Sequence, residues 1–234
     1  MTRSFHTTRW TLVRNSHGDT EEARAALADL CAHYYEPVVA FLSREGRDRD
    51  EASDLAHDFF SKVLAGDFLG EAQQERGRFR SYLLGALKHF IANRRRDENR
   101  EKRGGGVQHV ELESNHGILW PEVEFDRRWA VSIIERSLAL LQTEEEQSGR
   151  GGVFQIIRPW LASGEIRESQ EVCATRADMS TGALKVAIHR LRKRFREIVR
   201  AEIASTLNDP ADLDDEMRYL LAALSQGEPA PNEA

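Results

Sequence analysis

The chain has 234 residues, 40% hydrophobic and 31% charged, with 16 Gly and 6 Pro. That composition excludes collagen-like, low-complexity and wholly disordered chains, and admits one large domain or two of about 100 residues. The formal charge of −6 hides its distribution, because Thr206–Ala234 holds seven acids against the single base Arg218, leaving the rest of the chain neutral overall.

No run approaches the roughly 18 apolar residues that cross a bilayer, and Met1–Val13 lacks the apolar core of a signal peptide, so no membrane contact is expected and the working compartment reads as the cytoplasm. Cys31 and Cys173 are far apart and lack the paired spacing of a zinc or disulfide framework, which fits a reduced environment with neither thiol functional.

The periodic segments read as helix and none as strand, so the expected fold class is all-α: two small helical domains joined by a linker. Leu27, Leu30, Tyr34, Val38, Phe41 and Leu42 recur at spacings of three and four, with Pro37 expected to kink or divide the helix and Gly46 to end it. Asp50 or Ser53 is placed to cap the next helix, whose stripe of Leu55, Phe59, Val63 and Leu64 stops near Gly66. After a polar segment to Arg78, a third stripe of Phe79, Leu83, Leu87, Phe90 and Ile91 runs into a basic end. Lys88–Arg103 holds seven bases against three acids, and Gly104-Gly105-Gly106 is expected to terminate it.

Residues 106–125 have no clear period, contain Pro121, and read as a linker between a first domain at 1–105 and a second at 126–205. In the second domain Ala130, Ile134, Leu138 and Leu141 form one stripe, Thr143–Gly152 reads as a polar, Gly-rich break, and Val153, Ile156, Ile157, Trp160 and Leu161 form another stripe. Ser163-Gly164 breaks the chain again. Residues 206–234 form an acidic tail, with a partial helix expected through Met217, Leu220, Leu221 and Leu224 and either weak masking of the basic segments or simple solubilisation as its role.

The most informative segment follows Gly164. Glu168–Ala177 reads as a short helix, Asp178-Met179-Ser180 as a turn, and Thr181 onward as a long helix with the stripe Leu184, Ile188, Leu191, Phe195, Ile198. Ser180 or Thr181 can cap that helix, and Asp178 stands where a left-handed residue is needed. Beside the stripe lie Lys185, His189, Arg192 and Arg196, within a Lys185–Arg200 segment of seven bases against one acid. This is a helix-turn-helix pattern, whose second helix enters a major groove with its N-terminal residues on base edges while its cations hold phosphates. The alternative is an ordinary amphipathic hairpin with a solvated basic face, the commoner origin of a single charge run.

The run Gly182-Ala183-Leu184-Lys185-Val186-Ala187-Ile188-His189-Arg190-Leu191-Arg192-Lys193-Arg194-Phe195 resembles the recognition helix of region 4 in bacterial extracytoplasmic-function (ECF) sigma factors. The first half resembles region 2 of the same family. Tyr34-Tyr35-Glu36-Pro37-Val38 is similar to its start, and Asp54-Leu55-Ala56-His57-Asp58-Phe59-Phe60 to its most recognisable helix, with His57-Asp58 where the family commonly has Gln-Glu. Arg78–Leu84 and Lys88–Arg94 resemble the part that melts and reads the minus-ten promoter element, although His89 and Asn93 stand where the family often has Asn and Asp. Thr7-Thr8-Arg9-Trp10 and Lys102–Gly106 also look like a subgroup of these factors. The departures are Gln170–Arg176, which lacks the usual aliphatic pattern, and the longer, more acidic Thr143–Gly152.

The resemblance implies an initiation factor and not an enzyme, with core RNA polymerase and promoter DNA as partners and an anti-sigma factor or other regulator as a further candidate. It implies core-polymerase contact through Asp54, Leu55, His57, Asp58 and Phe60, with Leu55 and Phe60 open to a core role. Minus-ten contact would come from Arg80, Tyr82, Lys88, His89, Asn93, Arg94 and Arg95, with Asp67–Arg78 beside a flipped base. Minus-thirty-five contact would come from Ser180, Thr181, Lys185, His189, Arg190, Arg192, Lys193 and Arg196. Read without the resemblance, Asp54, His57 and Asp58 could be metal ligands, but polar residues at i, i+3, i+4 are more often a helix's wet face, so no metal or cofactor is expected. The rival reading is a stand-alone helix-turn-helix repressor with a helical dimerisation or sensor domain. An enzyme ranks third, since no Ser-His-Asp set, phosphate-binding Gly loop or metal cluster is visible.

Overall fold

The computed structural model of the chain describes residues 8–16, 20–44, 47–68, 78–102, 120–161 and 168–225. These are α-helical throughout: α1 (Arg9–Ser16), α2 (Glu21–Arg44), α3 (Arg49–Ala65), α4 (Phe79–Lys102), α5 (Trp120–Gln147), α6 (Gly151–Ile157), α7 (Gln170–Arg176), α8 (Thr181–Ser205) and α9 (Leu213–Ser225), with 3-10 turns at Arg158–Leu161 and Pro210–Asp212. Among the described residues there is no strand, only an isolated antiparallel bridge between Arg78 and Leu207. No described helix is long and apolar enough to cross a membrane. The expected breaks at Gly46, Gly104–Gly106 and Ser163-Gly164, and most of the Asp67–Arg78 segment, lie outside the described residues.

The chain forms two compact units, Met1–Ser132 with Ala204–Ala234, and Ile133–Ile203. The first unit has an aromatic core. Trp10 packs on Phe79 and Tyr82 with centroids 5.1 Å away in each case, and Tyr34 on Phe79 at 5.1 Å and Trp129 at 5.3 Å, rings supplied by α1, α2, α4 and α5. Aromatic pairs at such distances add to their burial by about 0.5–1.5 kcal/mol each.

Helix α2 runs through Pro37 as one element, so the proline does not divide it. The missing N–H leaves the His33 carbonyl without its usual intrahelical donor. Ser132 Oγ, which donates to the Trp129 carbonyl at 2.8 Å, also stands 3.4 Å from the His33 carbonyl. Helix α3 begins earlier than expected, because Asp48 rather than Asp50 or Ser53 is its cap and accepts from the Glu51 N–H at 2.8 Å. It stops where expected: Gly66 adopts φ 88°, and the Asp67 N–H closes on the Lys62 carbonyl at 3.1 Å.

Of the expected linker, residues 103–119 lie outside the description, and α5 already begins at Trp120 with Pro121 in its first turn, where a missing N–H costs nothing. The polar break expected at Thr143–Gly152 is also later than read. Glutamate is a good helix former, so Glu144–Glu146 continue α5 to Gln147, and Gly149 at φ 73° ends it.

In the second unit Leu141, Phe154, Ile157, Cys173, Ala174, Leu184, Ile188, Leu191 and Ile198 form one buried cluster, with Phe195 packed at its edge. The stripe read on α8 is therefore the face that packs. Arg136 of α5 pairs with Glu202 of α8 at 2.7 Å.

After α8 the chain returns to the first unit. Thr206 and Leu207 are buried. The Phe79 N–H donates to the Thr206 carbonyl at 3.0 Å, and Thr8 Oγ1 to the Leu207 carbonyl at 2.6 Å. The tail is helical from Leu213 to Ser225, as its apolar spacing indicated, but Leu220 is inside while Leu221 is 60% exposed.

Candidate nucleic-acid interface

Three surfaces carry the residues singled out in the sequence. On α3, Asp54, His57 and Asp58 are exposed on one face, with His57 Nε2 3.2 Å from Tyr35 Oη. Asp58 accepts from Arg94 of α4 at 3.1 Å, so this acid face and the basic end of α4 are neighbours. Leu55 and Phe60 point the other way. They are buried, Phe60 against the Tyr35 ring, and this corrects their assignment to a docking surface in favour of core packing.

On α4 the expected residues divide by turn of helix. Lys88, His89, Arg94 and Arg95 are exposed and Asn93 is half-buried. His89 and Asn93, one turn apart, hydrogen-bond at 3.3 Å. They face a cleft of about 330 Å³ between the C-terminal end of α3 and the middle of α4, floored by Phe68 and Phe90 and rimmed by Lys62, Asp67, Arg94 and Asp97. Its floor is aromatic but buried and its rim carries both signs of charge, a combination that backs a group with apolar surface and hydrogen-bonds its edge. Lys62 and Phe68 were not singled out in the sequence. Lys62 lies over the Phe90 ring at 5.3 Å, a placement only the packing of α3 on α4 creates.

Arg80 and Tyr82, the other two expected minus-ten residues, are inside the protein. Tyr82 is buried against Trp10 and Phe79 and is not a surface available for base stacking. Arg80 donates through Nη1 to Asp126 and through Nε to Glu216 at 3.2 Å, and its guanidinium lies 4.6 Å from the Tyr219 ring. Arg78 pairs with the same Glu216 at 2.9 Å, and Tyr219 donates its hydroxyl to Asp126. Burial by itself opposes charge on Arg80, but the carboxylates of Asp126 and Glu216 outweigh it and hold the guanidinium protonated beyond its ordinary range. Burial, and then the bond to Asp126, pushes the Tyr219 hydroxyl up as well. Both α4 residues, expected at the DNA, are thus interior instead: Tyr82 within the aromatic core and Arg80 beneath Glu216 and Tyr219 of α9. They sit in the first turn of α4, which α1, α5 and α9 cover.

The third surface is in the second unit. Helices α7 and α8 are joined by Ala177–Ser180, with Asp178 at φ 51°, the left-handed position expected of it. Ser180, of the two cap candidates, accepts from the Ala183 N–H at 3.2 Å, and Ser169 caps α7 by accepting from the Val172 N–H at 3.4 Å. Lys185, His189, Arg190, Arg192, Lys193 and Arg196 are all exposed, and Thr181 is half-buried. They are not equally disposed to a ligand. Arg192 Nε donates to the Trp160 carbonyl at 2.8 Å, and Lys193 lies 4.0 Å from Glu197. Arg194 makes a two-pronged bond to Glu144, at 2.7 and 2.8 Å, which holds that carboxyl below its usual range.

Among the described residues no group of three or more His, Cys, Asp or Glu is arranged to hold a metal ion. The family model described as ECF sigma factor matches residues 10–151, from the start of the aromatic core through the whole of α5. Comparison with curated proteins and with solved structures gives no match.

Proposed function

The chain belongs to the ECF sigma factor family, and from that premise we propose that it directs core RNA polymerase to promoters in the cytoplasm, docking and opening the minus-ten element with its first half and reading the minus-thirty-five element with α7 and α8. The family match over residues 10–151 supports the polymerase and minus-ten part of this reading, and the exposed cations of α8 beyond the α7–α8 turn support the minus-thirty-five part. The polymerase supplies the chemistry, and the chain supplies binding energy and selection.

In this reading the exposed acids Asp54 and Asp58, with His57, meet basic groups on the polymerase. Lys88, Arg94 and Arg95 hold the backbone of the opened strand, and His89 and Asn93 meet a base at the cleft floored by Phe68 and Phe90. Helix α8, entered by the Ser180 cap, acts as the recognition helix of a helix-turn-helix, with Lys185, His189 and Arg190 nearest its N-terminal side and Lys193 and Arg196 farther along for phosphate. We assign 1–105 to region 2 and 126–205 to region 4, with 126–132 and 204–205 packing in the first unit, and an anti-sigma factor or other regulator as a further partner.

The test is co-elution of the purified protein with bacterial core RNA polymerase, beside an Asp54→Arg, Asp58→Arg variant. Stoichiometric binding by the wild type that the variant loses is the expected result. Absence of binding, with a free dimer that retains duplex affinity, would move the chain to the class of helix-turn-helix repressors.

A further inference from the structure

The charge balance inside the first unit is unusual in its origin. Two cations at the start of α4, Arg78 and Arg80, share one carboxylate, Glu216, that arrives from the far end of the chain and is fully buried. Beyond these pairs α9 is held by the Tyr219 hydroxyl on Asp126, by the Tyr219 ring against Arg80 and by a thin apolar seam in which Leu213, Met217 and Leu224 are only half-buried. Of its 13 residues only Glu216, Leu220 and Ala223 are buried, while Tyr219 is 43% and Leu221 60% exposed. The preceding segment is anchored differently, with Leu207 wholly buried, its carbonyl accepting from the Thr8 hydroxyl and the neighbouring Thr206 carbonyl accepting from the Phe79 N–H. Between anchor and helix stands the 3-10 turn Pro210–Asp212, capped by Asp209, whose Oδ1 accepts from the Ala211 N–H at 2.9 Å. A short helix with few buried apolar groups belongs to the low-stability end of a structure, and a buried carboxylate stays favourable only while its cations remain.

We propose that α9 is an intramolecular latch: docked, its Glu216 carboxylate occupies Arg78 and Arg80 as a nucleic-acid phosphate would, and undocked it gives that place up to a single-stranded polyanion. Guanidinium groups bind carboxylate and phosphate through the same planar fork, so the two compete directly. The tether through Thr206–Asn208 keeps α9 at high effective concentration, which makes the closed form the resting one. Arg78 is freed outright on opening, whereas Arg80 retains Asp126 and exchanges it for phosphate only at close contact. The inference rests on the first unit being a nucleic-acid-binding one.

The experiment measures anisotropy of a labelled oligo(dT) strand bound by the full chain between about 50 and about 200 mM salt. Glu216→Gln, and separately Leu220→Ala, which loosens α9 without changing charge, should bind several-fold more tightly at the low-salt end. Their log–log salt slopes should steepen by about 0.7 to 1.4, one or two added phosphate contacts, so that affinity falls about threefold to sevenfold further across the range than in the wild type. Adding Arg78→Gln to Glu216→Gln should remove at least half of the added slope. Unchanged slopes in both variants would overturn the latch. So would a steeper slope that survives Arg78→Gln, or loss of cooperative thermal unfolding in both variants, which would place α9 in the permanent core. Because no polymerase is present, failure here leaves the sigma-factor reading standing where the wild type co-elutes with core polymerase. A steeper slope without such co-elution keeps the latch and removes that reading.

Discussion

Arg80 Nε donates to Glu216 Oε1 at 3.2 Å across 136 residues of sequence. The bond closes the first unit on itself, joining the first turn of its basic helix to the acidic end of the chain. With Asp126 and Arg78 it makes a set of two cations and two carboxylates, neutral as a whole and largely removed from water.

Removing one member of that set leaves a buried charge without compensation. Arg80→Ala should therefore cost about 3–5 kcal/mol in chemical denaturation. Replacing the whole set, Arg78→Met and Arg80→Met together with Glu216→Leu and Asp126→Leu, should recover most of that loss, since the paired charges give little net stability over apolar groups of similar size. A cost for Arg80→Ala below about 1 kcal/mol, the range of exposed pairs, would show that the network is not holding the fold.

Cys31 gives a prediction at alkaline pH. Burial pushes its thiol up to about 12, so the folded chain keeps a proton that the unfolded chain releases from pH 9. Unfolding then releases protons, and the contribution to stability, complete below pH 9, falls by about 1.4 kcal/mol for each pH unit as the pH rises toward 12. A melting series from pH 8 to about 10 should decline in the wild type and be flatter in Cys31→Ala, measured against its own value at pH 8. Parallel declines in the two proteins would contradict it. The folded thiol should also resist alkylation until the chain unfolds.

Asp178 sits at φ 51° in the turn between α7 and α8, a region that favours glycine. Asp178→Gly should stabilise the second unit by about 0.5–1 kcal/mol, and Asp178→Val should destabilise it by more. Equal melting temperatures for all three would show that the turn relaxes elsewhere.

The cations of α8 separate by their partners. Lys185→Ala with Arg190→Ala should leave thermal unfolding within about 0.5 kcal/mol of wild type and make the salt slope of duplex binding shallower by about 1.8. Arg192→Ala should also lower stability, by about 1 kcal/mol, because it removes the bond to the Trp160 carbonyl. An unchanged slope in the first variant would take those two residues off the DNA.

Much was legible in the chain because helices write their packing face into local spacing. Leu184, Ile188, Leu191 and Ile198 have the spacing of a buried stripe and form one, the α3 stripe stops at Gly66, and Asp178 takes the positive φ expected of it. Burial is what local spacing leaves open. Arg80 and Tyr82 were assigned to DNA from their position in a resembling segment, yet charge and an aromatic ring do not reveal burial, and Leu55 and Phe60 were ambiguous for the same reason. The cap of α3 was missed by two residues because several acids stood close enough to serve.

The sequence by itself determined the helical class, the order of its stripes, the turn before α8 and the exposed basic faces, all of which depend on residues within a turn or two of one another. Only the tertiary structure decided that Arg80 is an interior cation, that Lys62 and Phe68 join His89 and Asn93 around one cleft, and that the acidic end of the chain belongs to the first unit. Those facts turn on which carboxylate reaches a buried guanidinium. No periodicity records that choice, because the cost of burying a charge is met by a partner that can come from anywhere in the chain.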